Sequence, residues 1–80
     1  MPNVTIYTRR GCCLCEEARR VLDCARLKTE FHLQEVDIDS EPDLRELYNE
    51  EVPVIAINGR KVFQYQVDLD ALLIRLSAEP

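Results

Sequence analysis

Two spacings of apolar residues alternate along the chain. Residues 3–8, with Val4-Thr5-Ile6-Tyr7 at their centre, form a short apolar run rich in β-branched side chains, which predicts a buried strand. From about Cys13 to Leu27 the spacing turns helical, with Leu14, Ala18, Val21, Leu22 and Ala25 on one face. Glu16 and Glu17 suit the positive end of that helix, and Arg26 and Lys28 the negative end. Phe31 to Ile38 reads as a second strand. Ser40-Glu41-Pro42-Asp43 reads as a helix start, with Ser40 as N-cap, Asp43 closing a capping box and Pro42 in the first turn, where no hydrogen bond is lost. Leu44, Leu47 and Tyr48 give that short helix its apolar face. Val54 to Ile57, Asn58-Gly59 and Arg60 to Phe63 make a hairpin, because Asn-Gly supplies the positive φ angles of a type I′ turn. A last helix starts near Asp68 as N-cap and turns Leu69, Leu72, Leu73 and Leu76 to the core, with Ser77 to Pro80 expected to fray.

The order β-α-β-α-β-β-α predicts an α/β fold. Strand, helix and strand in succession form a right-handed unit with parallel strands. A hairpin and a helix then complete a four-stranded mixed sheet with helices on both faces. No repeat, linker or low-complexity segment interrupts it.

Length and charge narrow the classes. Eighty residues suffice for one domain, spanning residues 1–80. A net charge of −5 argues against nucleic acid as the main partner. No apolar run is long enough to cross a bilayer, and Met1-Pro2-Asn3 runs into a strand without a signal-peptide pattern. A cytoplasmic monomer with no membrane partner is expected.

The cysteines change the picture most. Cys12, Cys13 and Cys15 crowd into four residues, whereas a disulfide framework would spread its bridges over the fold. Catalytic or metal-binding thiols are the better reading. Cys12 and Cys15 form a Cys-x-x-Cys pair where a loop enters a helix, at the C-terminal end of the first strand. Unpaired N–H groups and the positive helix end there favour a thiolate, the nucleophile of disulfide exchange. Cys12 is placed to attack, and Cys15, one turn in, to displace what Cys12 has captured. Arg9 and Arg10 assist ionisation, and Glu16 and Glu17 oppose it. No bound cofactor is needed.

Other residues have plainer roles. Cys13 reads as a partly exposed neighbour and Cys24 as core filler. His32 reads as a surface histidine on an edge strand, and Asp37 and Asp39 as a strand end. Tyr65 lines a groove or covers the core, and its place is left open. Two alternatives to exchange chemistry stand: a metal or Fe–S module on Cys12, Cys13 and Cys15, and a redox-silent interaction domain.

Cys-x-x-Cys after the first strand and a proline before the third resemble the thioredoxin fold, and more narrowly the glutaredoxins. The stretches that carry the likeness are Ile6-Tyr7-Thr8-Arg9-Arg10-Gly11-Cys12-Cys13-Leu14-Cys15, Val36-Asp37-Ile38-Asp39, Val52-Pro53-Val54 and Asn58-Gly59. The closest resemblance is to small glutaredoxin-like proteins with a Cys-x-Leu-Cys site. It implies Cys12 as attacking and Cys15 as resolving thiol, and Pro53 as a cis-proline facing them. It implies that the Val52 backbone pairs with substrate like an added strand, and that Arg9 stands where a lysine usually meets the glutathione carboxylate. The implied activity is thiol–disulfide exchange on a disulfide-containing protein, with electrons from a thioredoxin-reductase-type enzyme or from glutathione. Three departures tilt the expectation away from glutathione. Cys13-Leu14 replaces Pro-Tyr, Glu51 replaces a threonine, and Phe63 to Asp68 lacks the usual Gly-Gly pair.

Overall fold

In the computed structural model, residues 2–48 and 51–78 are described. Strand β1 (Asn3–Thr8) is followed by helix α1 (Cys13–Arg26), strand β2 (His32–Asp37) and a 3₁₀ turn over Ile38–Ser40. Helix α2 (Pro42–Tyr48), strands β3 (Val54–Ile57) and β4 (Arg60–Gln64) and helix α3 (Leu69–Ala78) complete the order. The sheet runs β2-β1-β3-β4, with β1 parallel to β2 and the other two pairings antiparallel. The expected element order and mixed sheet are observed.

Alternation along β1 separates two faces. Val4 and Ile6 point to one side, where they pack with Ile55, Ile57, Leu72, Leu76 and the buried stripe of α1. Tyr7 points to the other, and its ring lies 4.9 Å from that of Tyr48 on α2. The α1 stripe is Cys15, Ala18, Leu22 and Ala25, a 3-4-3 spacing. A fully buried leucine such as Leu22 contributes roughly 1.5–3 kcal/mol, against roughly 0–1 for an exposed ion pair such as Arg19–Glu35. The stripe therefore holds α1 to the sheet.

That spacing corrects two expectations. Cys24 is exposed and is not core filler. At about 100° per residue it lies about 160° round the helix from Leu22, outside the stripe. Leu14 is 37% exposed, on the flank of the stripe and not within it. A third correction concerns α2. Ser40 ends the 3₁₀ turn and donates its hydroxyl to the Asp37 carbonyl at 2.7 Å, so it does not cap the helix. The Glu41 carbonyl accepts from the Arg45 N–H at 3.0 Å, which makes Glu41 the residue that precedes the first turn. Leu47, expected on the apolar face, is 60% exposed.

The hairpin forms as its turn residues dictate, with Asn58 at φ 52° and Gly59 at φ 85°. Asn58 also ties the turn to β1, accepting from Asn3 N–H at 2.9 Å through its side chain. One residue of β4, Val62, is extra between the Ile55–Phe63 and Ala56–Lys61 pairs. This bulge lets Val62 and Phe63 both pack against the core. Asp68 caps α3 as expected, accepting the Ala71 N–H at 3.0 Å. Residues 79–80 of the expected frayed end lie outside the described residues. No described helix is long and apolar enough to cross a membrane.

Candidate active site

β1 ends at Thr8, and the chain turns through Gly11 before α1 begins. Gly11 has φ 76°, a left-handed conformation that a side chain would strain. The turn closes with the Cys12 N–H donating to the Arg9 carbonyl at 3.3 Å. Cys12 is then the N-cap of α1, in extended backbone geometry (φ −92°, ψ 110°). Its carbonyl accepts from Glu16 N–H at 3.3 Å, and its sulfur accepts from Cys15 N–H at 3.1 Å. The sulfur thus takes the place of the serine or aspartate oxygen that usually satisfies a helix start. This contact is within the ordinary reach of sulfur, and it holds Cys12 against the first turn.

Cys15 differs from Cys12 in every respect that matters for the chemistry. It is 1% exposed, on the buried stripe, whereas Cys12 is half-buried and Cys13 exposed. Burial pushes the Cys15 thiol up from the ordinary 9.0 to about 12, and a hydrogen bond and charge interaction with Cys12 push the same way. A backbone hydrogen bond from Arg9 and the charge of Arg19 oppose them. Cys15 is therefore held as a thiol. All four cysteines are unbridged.

The Val52–Pro53 peptide bond is cis, as the resemblance implied, and Pro53 is fully buried. Tyr7 pairs with Val54, so the register carries this bond beside the end of β1, where the cysteine loop departs. The Pro53 carbonyl accepts from Tyr65 N–H at 2.9 Å. Among the described residues, Val52 N–H and C=O have no hydrogen-bond partner, which leaves them available to an extended chain.

Arg9 is engaged, its Nε donating to Asp39 Oδ2 at 3.1 Å. The Asp37 carboxylate accepts from Asp39 N–H at 2.9 Å, so both aspartates serve the loop that receives Arg9. Glu51 pairs with Lys61 at 3.2 Å, and Lys61 also reaches Gln64 Oε1 at 3.0 Å. The acidic side chain near Pro53 thus carries its own counter-charge. No spacing in the sequence announced that pair; the hairpin brings it together.

Tyr65 settles the question left open above. It follows β4 with φ 70° and is 45% exposed, so it lines a groove and does not cover the core. A non-glycine residue in that region costs on the order of 1–3 kcal/mol. The groove has a volume of about 160 Å³ and lies between Leu14, Ala18 and Val21 of α1 and Tyr65 and Val67 of the following segment. Sequence reasoning offered Tyr65 for such a groove but missed its α1 wall, because Leu14, Ala18 and Val21 read as a stripe turned to the core.

The metal reading finds no assembled donor set. Among the described residues, no three His, Cys, Asp or Glu side chains are grouped so that they could hold a metal ion. Cys13 is exposed while Cys15 is buried beside Cys12, so Cys13 stands apart from the other two thiols.

Comparison with known proteins agrees with this fold. The profile of a family described as glutaredoxin-like domain (DUF836) matches residues 3–77. A glutaredoxin-like protein of Dictyostelium discoideum is 30% identical over 76 residues, which cover 88% of this chain and 70% of that one. A solved X. campestris protein superposes with a TM-score of 0.78 at 33% identity, covering 96% of this chain and 99% of its own. A malaria-parasite thioredoxin-2 superposes with a TM-score of 0.73 over 99% of this chain and 84% of its own, at 15% identity, a likeness of fold alone. The fold is thioredoxin-like.

Proposed function

We propose that this chain, which belongs to the glutaredoxin-like domain family, is a thiol–disulfide oxidoreductase that reduces protein disulfides through Cys12 and Cys15. The observation that carries the reading is the asymmetry of the pair. A half-buried Cys12 caps α1 and accepts the Cys15 N–H at 3.1 Å, while Cys15 is buried behind it with its proton retained. In the first step the Cys12 thiolate attacks one sulfur of the substrate disulfide. A Cys12–substrate mixed disulfide forms, and the other substrate sulfur leaves as a thiolate that takes up a proton. Cys15 then loses its proton and attacks the Cys12 sulfur. The Cys12–Cys15 disulfide forms, and the second substrate sulfur departs as a thiol. The substrate gains two electrons and the pair loses two.

The substrate chain would lie along Val52 as an added strand, its disulfide directed at Cys12 by the turn at Pro53. Arg9 stands at the edge of this path, with Asp39 as its resident partner. Electrons return from a dithiol donor of thioredoxin-reductase type, with glutathione as the weaker alternative because Tyr65 and its neighbours fill the segment where glutaredoxins have bare glycine backbone. We place the reaction in the reducing cytoplasm, which suits four unbridged thiols, and the protein there as a monomer.

The test is to equilibrate the protein in dithiol buffers and identify alkylated cysteines by mass, alongside trapping with Cys15→Ser. One two-electron couple confined to Cys12 and Cys15, at roughly −270 to −180 mV, and a trapped mixed disulfide on Cys12 are expected. Joint titration of Cys13 or Cys24 with the pair, or no trapped species, would overturn the reading.

A further inference from the structure

We infer that the groove between α1 and the segment after β4 selects, in the protein disulfide, an aliphatic side chain accompanied by a lysine or arginine. This rests on the exchange reaction proposed above and adds to it a class of substrate.

The position of the groove comes first. Leu14 lies between the two reacting cysteines in sequence and forms one end of the groove. Its far wall begins at Tyr65, whose N–H bonds the Pro53 carbonyl at 2.9 Å. A chain that adds along Val52 is therefore flanked by the groove on the Tyr65 side and by Cys12 ahead of it. In an extended chain alternate side chains project to one face, so a residue flanking the attacked cystine has the groove within reach.

Size and lining then choose the occupant. About 160 Å³ is below the roughly 300–1,000 Å³ of pockets that enclose small molecules. It is room for a side chain. Leu14, Val21 and Val67 supply aliphatic surface, and Tyr65 stands half-exposed at the edge in a backbone conformation that disfavours any side chain. Water leaves such a surface when an aliphatic group covers it, which favours leucine, isoleucine or methionine over polar residues.

Charge supplies the second element. Glu17 is the single charged residue lining the groove, and it is exposed. Among the described residues it has no ion-pair partner, in contrast to Glu35 and Glu51, which pair with Arg19 and Lys61. An unpaired carboxylate beside an apolar slot favours a substrate with a neighbouring cation and disfavours an acidic one. Glutathione, with two carboxylates to one ammonium, has a net charge of the wrong sign here.

The experiment uses the full chain and peptides that carry one cysteine as a mixed disulfide with mercaptoethanol. The residues beside the cysteine are Leu-Lys, Leu-Glu or Ser-Lys, and bis(2-hydroxyethyl) disulfide is the neutral small control. Relative to that control, kcat/KM for the Leu-Lys peptide is expected to exceed both others about tenfold, through KM. Glu17→Lys should invert the preference between Leu-Lys and Leu-Glu, and Val21→Ser should erase that between Leu-Lys and Ser-Lys. Glu17 is exposed, whereas Val21 is half-buried and packs at the margin of the core, so a thermal melt of Val21→Ser checks that it folds. Equal kcat/KM for the three peptides, or a ranking that Glu17→Lys leaves unchanged, would overturn the inference while the exchange reaction stands. No exchange even with the neutral control would remove the reaction and the inference together.

Discussion

The two walls of the site are built on different terms. The thiol wall is one continuous stretch from Arg9 to Cys15, closed by contacts between near neighbours: Cys12 N–H to Arg9 O and Cys15 N–H to Cys12 Sγ. The substrate wall is assembled from remote segments: Val52–Pro53 before β3, Tyr65 after β4, and Lys61 reaching back to Glu51. The first wall is governed by backbone conformation and helix capping, and it keeps the Cys-x-x-Cys spacing while replacing Pro-Tyr with Cys13-Leu14. The second is governed by side chains, and it departs from the glutaredoxin pattern at Glu51 and Tyr65. The thiols and most of the substrate wall therefore come from different parts of the chain, while Leu14 and Glu17 of the cysteine helix border both.

If that division is right, the loss of a cysteine should affect every substrate alike. Cys12→Ser has the largest expected effect, a loss of at least about a thousandfold in kcat/KM on small neutral and protein disulfides equally, since it removes the nucleophile. Steady-state assays on both substrate types check this. A loss confined to one substrate type would merge the two walls.

The environment of Cys15 yields a pH dependence that belongs to the thiol wall alone. The folded state holds the Cys15 proton up to about 12, whereas the unfolded chain releases it near 9.0. Across that window the folded state binds more protons, so stability falls as pH rises, and below about 9 the contribution is fully present. Denaturant unfolding of the reduced protein should show this decline from pH 9 upwards. Cys15→Ala should flatten it relative to the parent, and an equal slope in both would contradict the assigned burial.

The smallest effect is expected on the substrate wall, at Glu51. Its carboxylate already faces Lys61 at 3.2 Å, and an exposed pair of this kind is worth roughly 0–1 kcal/mol. Glu51→Gln should change kcat/KM for glutathione disulfide by less than about fivefold, which is about 1 kcal/mol, and leave the neutral control unchanged. A large gain for glutathione would show that Glu51, and not the Tyr65 segment, excludes it.

Much of this molecule was legible as sequence because the deciding interactions are local. The apolar run of β1, the Asn58-Gly59 turn, the Asp68 cap and the helix start at the cysteines each depend on neighbours within a few residues, and all of these appear as expected. The errors came where a face or a partner had to be chosen. Cys24 and Leu14 follow from the exact orientation of α1, which the sheet sets by taking Cys15, Ala18, Leu22 and Ala25 inward. Ser40 lost its cap because Ile38 is buried and draws the chain into a 3₁₀ turn first. Sequence by itself determined the order of the elements and the place of the Cys12–Cys15 pair at a helix start, since backbone conformation and capping are short-range. Tertiary structure alone decided that Arg9 meets Asp39, that Glu51 meets Lys61 and that Tyr65 meets the cysteine helix across a groove. Those contacts join residues that only the pairing of β1 with β2, and of β3 with β1 and β4, brings together.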